Sequence, residues 1–265
     1  MAEEVKEKAE ALDPRFMTSL ARGLEVLAAF EGQEGLSVTQ AAKLTGLPRS
    51  AVGRCLFTLE RLGYVAAEGT SYRLCPGVLP LGRAFLLGDS LARAGQPVVE
   101  ALRDRLGESS SLAMFDTRSR HRAVLYVCRA ETMRIISVPL LIGSMLPSYC
   151  TSNGRVLLAA LAPDALRAYL AGAELAARTA KTLTNTQALQ AELARVRDQG
   201  WAMTDGELEP GLRSIAVPVR GPDGQALAAL NLATQSAHRD QGWLLHTALP
   251  ELQAAAAHLG RVAFR

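Results

Sequence analysis

Apolar residues at Phe16, Leu20, Leu24 and Leu27 recur at the three-and-four spacing of one helix face. Asp13 and Pro14 supply a cap and first turn, so a helix is expected from Phe16 to Phe30, ending near Gly32. Ser37 can cap a short second helix carrying Val38, Ala41, Ala42 and Leu44, which Thr45-Gly46-Leu47-Pro48 stops. Pro48 then opens a run in which Val52, Leu56, Leu59 and Leu62 share a face and which Gly63 ends. Tyr64–Ala67 and Ser71–Leu74, strand-like runs around Glu68-Gly69-Thr70, read as a hairpin. Helix, helix, turn, helix, hairpin is the order of a winged helix-turn-helix.

Beyond the hairpin, Val78, Leu79, Leu81, Phe85 and Leu86 suggest a linker helix, and Val98, Leu102 and Leu106 a further helix that Gly107 ends. The pattern then changes. Ser111–Phe115, Ala123–Cys128 and Ile135–Val138 are short, apolar or β-branched, and read as strands. Thr151–Leu161 and Gln187–Gln199 read as helices, the second with Leu189, Leu193 and Val196 on one face. Ile215–Val219 and Ala226–Ala233, joined through Gly221-Pro222-Asp223-Gly224, form a hairpin, and a final helix is expected over Leu244–Val262. These elements make an α+β domain with a mostly antiparallel sheet. The organisation expected is a polar tail over 1–15, a winged helix-turn-helix over 16–76, a linker helix over 77–91 and a second domain over 92–265.

The second helix of a helix-turn-helix lies in the major groove of DNA with its N-terminal half at the base edges. Opposite Val52, Leu56 and Leu59, the third helix here presents Ser50, Gly53, Arg54, Phe57 and Arg61, with Arg49 at its flank. Arginine can pair bidentately with guanine, serine can reach base or phosphate, and Gly53 has no side chain to hold the helix away. Arg73 on the hairpin is placed to meet phosphate. Arg22, Thr39 and Gln40, on the first two helices, complete the candidate DNA contacts. The alternative is a solvated helix face bearing ordinary arginines.

Composition narrows the function classes. The chain has 265 residues, 49% hydrophobic and 21% charged, which favours two globular domains over disorder. Its uncharged apolar runs, such as Val156–Ala162, are far short of a membrane span, and MAEEVKEKAE is too polar for a signal peptide, so a cytoplasmic protein is expected. Cys55, Cys75, Cys128 and Cys150 stand far apart with no CxxC pair, which argues for free thiols and against a zinc site or disulfide framework. The net charge of +3 is unevenly spread: residues 1–14 carry a net −3, and the basic excess belongs to the folded part.

The run SLARGLEVLAAFEGQEGLSVTQAAKLTGLPRSAVGRCLFTLERLGYVAAEGTSYRLCPGVLPLG resembles the N-terminal domain of the IclR (isocitrate lyase regulator) family of bacterial transcription factors. LPSYCTSNGRVLLAAL, the segment ELARVRDQGWAMTDGELEPGLRSIAVPVRGPDGQALAALNLAT and the closing helix are similar to that family's effector-binding domain. Through SVPLLIGSMLPSYCTSNGRVLLA the chain resembles the regulators of aromatic-acid breakdown, those of the protocatechuate and 4-hydroxybenzoate pathways. The resemblance implies a GAF-like sheet with a small-molecule pocket on one face. It also implies an effector carboxylate held at the start of the helix after LPxxxx and by polar residues of the central hairpin. Ser152, Asn153, Ser214 and Asn231 occupy those positions, Asp205 with its neighbour Thr204 falls at a commonly acidic one, and Leu212 matches an apolar wall.

Physical chemistry supports that assignment independently, because first-turn backbone N–H groups around Thr151–Gly154 attract anions. Asn231 alternates with Leu230 and Leu232 and so points to the other side of the sheet. For an aromatic acid, Met145, Leu146, Tyr149 and Leu212 are candidate walls and Arg134 the candidate cation, with Arg155 and Arg213 behind it; each has a bland alternative in core packing or surface charge.

An enzyme reading would rest on Cys150, whose place near a helix N-terminus would lower its pKa. The four histidines His121, His238, His246 and His258 form no paired metal spacing, and no GxSxG, GxGxxG or P-loop occurs. A DNA-binding protein without a small-molecule ligand is a third reading. The reading adopted is a regulator without enzymatic activity, metal or cofactor. Its expected partners are a palindromic double-stranded DNA operator, a small carboxylate effector of benzoate type, and further copies of itself as a homodimer or dimer of dimers; no membrane is involved.

Overall fold

The computed structural model describes residues 14–116, 122–132 and 140–263, and the chain forms two compact units, Met1–Phe85 and Leu86–Arg265. The expected polar tail, the strand Ile135–Val138, His121 and Arg134 lie outside the described residues, apart from the tail's last two positions. Among the described residues no helix is long and apolar enough to cross a membrane.

In the first unit, α1 (Thr18–Ala28) is followed by β1 (Leu36–Ser37), α2 (Val38–Thr45), α3 (Arg49–Arg61), β2 (Val65–Glu68) and β3 (Ser71–Leu74). The sheet order is β1-β3-β2, so the brief β1 closes the wing against the helices. A capping box starts α2: Ser37 Oγ accepts the Gln40 N–H at 3.2 Å and Gln40 Oε1 accepts the Ser37 N–H at 2.9 Å. Gly46, at φ 72°, ends it in the left-handed region, which sets the tight turn into α3.

Val26, Phe30, Leu36, Ala41, Val52, Leu56, Leu59 and Val65 form this unit's core. The apolar row that defines α1 in the sequence is not the row the core takes up. Leu20 and Leu24 are each 56% exposed, while Val26 and Phe30, one helical turn apart, are buried against α3. The helix therefore has two apolar edges, and only one of them is satisfied within the unit.

Through α4 (Leu79–Gly88) the chain enters the second unit: α5 (Ser90–Leu106), β4 (Ser109–Phe115), β5 (Val124–Ala130), β6 (Met145–Leu146), α6 (Ser152–Ala159), α7 (Pro163–Gly172), α8 (Thr186–Gln199), β7 (Ala202–Asp205), β8 (Leu212–Arg220), β9 (Ala226–Gln235) and α9 (Leu249–Val262). The last is entered through a π-turn over Leu244–Ala248, next to Pro250, which brings no N–H to a regular ladder. The six strands are all antiparallel to their neighbours in the order β6-β5-β4-β9-β8-β7, the α+β sheet expected.

The two faces of that sheet carry different chemistry. On one, Leu112, Val127, Ile215, Val217, Leu230 and Leu232 meet Val99, Leu102 and Leu106 of α5 and Leu252, Ala256 and Leu259 of α9. Here α5 comes so close that a Cβ on Gly95 would stand 2.6 Å from Leu112 Cδ2. On the other face Ala202, Ala216 and Ala229 leave room for α6, whose residues are all buried, backed by Leu189, Leu193 and Val196 of α8. The register puts Ala216 beside Ala202, and Ala216 also opposite Asn231, so small and polar positions share this face.

Candidate functional site

On the first unit, Arg49, Ser50 and Arg54 are exposed on the opening turns of α3, with Gly53 among them, on the face opposite Val52 and Leu56. Nothing stands within 4 Å of a Cβ built on Gly53, so this stretch of helix is open to a groove-sized partner. Thr39 is exposed at the start of α2, whereas the Gln40 side chain is engaged in the capping box. Arg73 is exposed on β3 and paired with Glu68 across the hairpin. Arg61 lies 5.2 Å over the exposed Phe57 ring. Arg22 and Arg54 border an apolar groove of about 680 Å³ between α1 and α3, lined also by Met17, Leu20, Leu24 and Leu62.

The second unit holds a buried cavity of about 30 Å³ between the sheet and the start of α6. Polar groups line it in ordered rows. Ser152 Oγ lies 2.9 Å from Ser214 Oγ, which lies 2.9 Å from Thr204 Oγ1, a chain of three buried hydroxyls from α6 across β8 to β7. Ser111 Oγ donates to Asn231 Oδ1 at 2.6 Å, and Ser111 is in register with both Asn231 and Arg129. Leu140, Leu146, Leu208, Leu212, Tyr126 and Cys150 supply the apolar wall. Burial pushes the Tyr126 phenol up to about 12, a shift the neighbouring Asn153 amide opposes, so this wall is uncharged at neutral pH.

At the head of α6, Thr151 Oγ1 accepts the Gly154 N–H at 3.2 Å. A Cβ on Gly154 would stand 2.2 Å from the Ser148 backbone, so only glycine lets the preceding segment close over this turn. Asn153 has no solvent exposure; its amide acts on the Tyr126 phenol, and among the described residues neither its nitrogen nor its oxygen meets a partner at full hydrogen-bond geometry.

Of the effector positions expected from the sequence, the cavity brings together Ser152, Ser214, Asn231 and Leu212. Leu146 and Thr204 line it too, whereas among the described candidates Asn153, Met145, Tyr149, Asp205, Arg155 and Arg213 do not. Tyr149 is packed in the α6–α8 core and its hydroxyl donates to the Ala176 carbonyl at 2.8 Å, which turns the ring away from the cavity. Met145 is half-buried on β6, where its neighbour Leu146 lines the wall instead. Asp205 follows Thr204 on β7 and so faces the other way, accepting from Arg213 at 2.7 Å; that guanidinium holds its carboxyl below the usual range. Arg155 is buried in an ion pair with Glu207 and is thus committed to structure.

Ser111, Tyr126, Arg129, Leu140 and Leu208 line the cavity without having been expected. Ser109-Ser110-Ser111 inside an otherwise apolar strand was the one available signal.

Cys150 corrects a further expectation. Burial, the largest influence, pushes its thiol up to about 11, although Arg178 and Arg155 pull the other way. The nucleophile reading depended on a lowered value, and the thiol is instead a neutral part of the wall. All four cysteines are free.

Comparison with known proteins accounts for both units. The model of the IclR helix-turn-helix domain matches residues 19–69, and that of the bacterial transcriptional regulator IclR C-terminal domain matches residues 85–261. The Pca regulon regulatory protein of Pseudomonas putida is 46% identical over 93% of this chain and 84% of that protein. A transcriptional regulator from Rhodococcus sp. RHA1, solved by crystallography, is 38% identical with a TM-score of 0.80, covering 94% of this chain and 98% of that one. The inducer-binding domain of the PobR transcription factor from Acinetobacter, a double mutant in complex with 3-hydroxybenzoic acid, is 27% identical with a TM-score of 0.58, covering 62% of this chain and 94% of that one. With two thirds of its length under one family model and its N-terminal domain under the other, the chain belongs to the IclR family of bacterial transcriptional regulators.

Proposed function

We propose that this regulator senses a hydroxylated aromatic acid in the second-unit cavity and adjusts its hold on a palindromic operator that governs aromatic breakdown. The observation that carries the reading is the buried hydroxyl chain of Ser152, Ser214 and Thr204 facing apolar walls. An apolar slot ended by donors and acceptors suits a ring bearing oxygen substituents. The names of the Pca regulon relative and of the 3-hydroxybenzoic acid complex point the same way. At about 30 Å³ the cavity has room for one or two waters, so admitting a ring requires its wall to move outward.

Operator reading falls to α3, with Arg49, Ser50 and Arg54 at base edges and Arg22, Thr39, Gln40 and Arg73 as backbone or flanking contacts. A second copy suits the unsatisfied edge of α1, where Leu20 and Leu24 stay exposed beside Leu62 at the end of α3, because two reading helices about 34 Å apart match a palindrome. Pairs of such dimers extend the same logic to two operators. No cofactor, metal or catalytic step is part of this reading.

The test is thermal unfolding of the full-length protein with benzoate, 3- and 4-hydroxybenzoate, pyruvate and glyoxylate, followed by operator titration with any acid that stabilises it. The expected result is a raised midpoint and altered operator affinity with a hydroxybenzoate. Stabilisation by the small keto acids alone overturns the aromatic assignment. Arg54→Ala should cost ~1–3 kcal/mol of operator affinity and relax base preference at one position.

A further inference from the structure

We propose that Arg129 is the group that captures the effector's carboxylate and so makes the cavity select acids over neutral rings. The inference rests on the effector reading above and adds to it a residue that the sequence did not suggest. Leu112 is in register with Cys128 but the next residue, Ala113, pairs with Tyr126, so Val127 is an extra residue in β5. Before this bulge Val124 and Tyr126 face the cavity side and pack with Leu140. At and after it Val127, Cys128 and Ala130 all join the core under α5. The extra residue therefore reverses the alternation and aims Arg129 into the cavity, where an unbroken strand would have pointed it at α5.

Arg129 is the one cation among the described residues lining the cavity. Its side chain is only 7% exposed, and its Nε donates at 2.6 Å to Glu131, a carboxylate that is 52% exposed. With Nε engaged, the guanidinium keeps its end-on Nη1/Nη2 fork for a planar carboxylate. Glu131 supplies a counter-charge from the solvent side, so the buried cation is compensated before a ligand arrives and shared with it afterwards. The position is also held rigid: Gln96 of α5 accepts the Arg129 N–H at 3.2 Å and donates to the Arg129 carbonyl at 3.0 Å, beyond the point where β6 stops pairing with β5. At the other side of the cavity the hydroxyl chain remains for substituents on the ring.

The experiment is calorimetric titration of full-length protein with benzoate, 4-hydroxybenzoate and the neutral 4-hydroxybenzamide. Arg129→Gln should weaken both acids about ten-fold or more, leave the amide within about two-fold, and thus erase the preference; Arg129→Lys should keep part of it. Arg129→Gln protein that retains the wild-type ratio of acid to amide, or loses both ligands alike, overturns the assignment while the effector reading stands. Wild-type protein that binds none of the three overturns both. Where Arg129→Gln does not fold, Glu131→Gln carries the test: with the competing carboxylate gone the acids should bind about three-fold tighter or more, and unchanged or weaker binding refutes the role.

Discussion

Arg155 offers a quantitative check on how the cavity wall is held. Its side chain is 2% exposed, its Nε donates to the Tyr149 carbonyl at 3.0 Å, and its two terminal nitrogens grip Glu207, at 2.7 Å to Oε1 and through a second bond to Oε2. Arg155→Met keeps the volume but leaves Glu207, 11% exposed at its side chain, without its partner. Glu192 is the lesser loser, since Arg195 still holds it at 2.7 Å. Breaking one side of a buried pair costs ~3–5 kcal/mol, a third or more of the ~5–15 kcal/mol that holds a domain together. The double variant Arg155→Met/Glu207→Leu removes both charges and should recover most of that loss. Urea unfolding of wild type, both singles and the double gives the four free energies of the cycle. A cost below about 1 kcal/mol for Arg155→Met, or a double variant as unstable as the singles added together, would refute the buried-pair argument. The Glu207 carbonyl also accepts from Thr182 at 2.6 Å, so its segment, which leads to Leu208 and Leu212 of the wall, should lose effector affinity in step with stability.

Three further outcomes follow from the same contacts. Because Arg213 lowers the Asp205 pKa in the folded state, the pair contributes stability above the usual carboxyl value near 3.8 and loses it as pH falls through the lower folded value; Arg213→Gln should flatten the acid limb of a urea-midpoint profile, and an unchanged limb refutes the pairing. Cys150, raised to about 11, contributes stability that is complete below the ordinary thiol value of 9.0 and fades as pH climbs toward 11. Iodoacetamide at pH 8 should spare it in folded protein and label it in urea, and labelling within minutes in the native state contradicts the burial. Gln96→Ala removes both hydrogen bonds to the Arg129 peptide and should cost ~1–3 kcal/mol by urea unfolding together with part of the benzoate affinity; wild-type values for both would show that the clamp is idle.

The winged unit was legible because its signals are local. Ser37, Gly46 and Pro48 punctuate α2 and the turn, and Val52, Leu56 and Leu59 fix the inner face of α3, hence its outer one. Asn231 was legible for the same reason, since simple alternation with Leu230 and Leu232 decides its side. What failed was everything that depends on distant partners. β1 and β6 have two residues each and β7 four, too few to show a period. The fate of Tyr149 turns on the Ala176 carbonyl, 27 positions away, and that of Arg155 on Glu207, 52 away. Leu20 and Leu24 show that a periodic row proves a helix but does not tell which edge the core will use. Arg129 was hidden by a bulge, which breaks the one rule that would have placed it.

The cavity owes its position to a change of residue type along single strands. On β7, β8 and β9 the alanines Ala202, Ala216 and Ala229 accept the apolar body of α6, and two residues along the same face Thr204, Ser214 and Asn231 meet its polar first turn. Packing thus becomes binding within one pleat, with no insertion in the fold. The bulge does the equivalent on β5, where Val127 and Cys128 serve the α5 core and Arg129 serves the cavity. Cys128 Sγ contacts the Ala92 carbonyl at 3.2 Å and Gln96 holds the Arg129 peptide, so α5 is fastened on both sides of the residue that meets the ligand. A ligand shifts an equilibrium only by binding its two states unequally. Any displacement of Arg129 on binding a carboxylate must stretch or relax those fastenings, and α5 is the helix to which α4 delivers the chain from the DNA-reading unit. The unequal affinity a regulator needs can therefore arise at Arg129 itself.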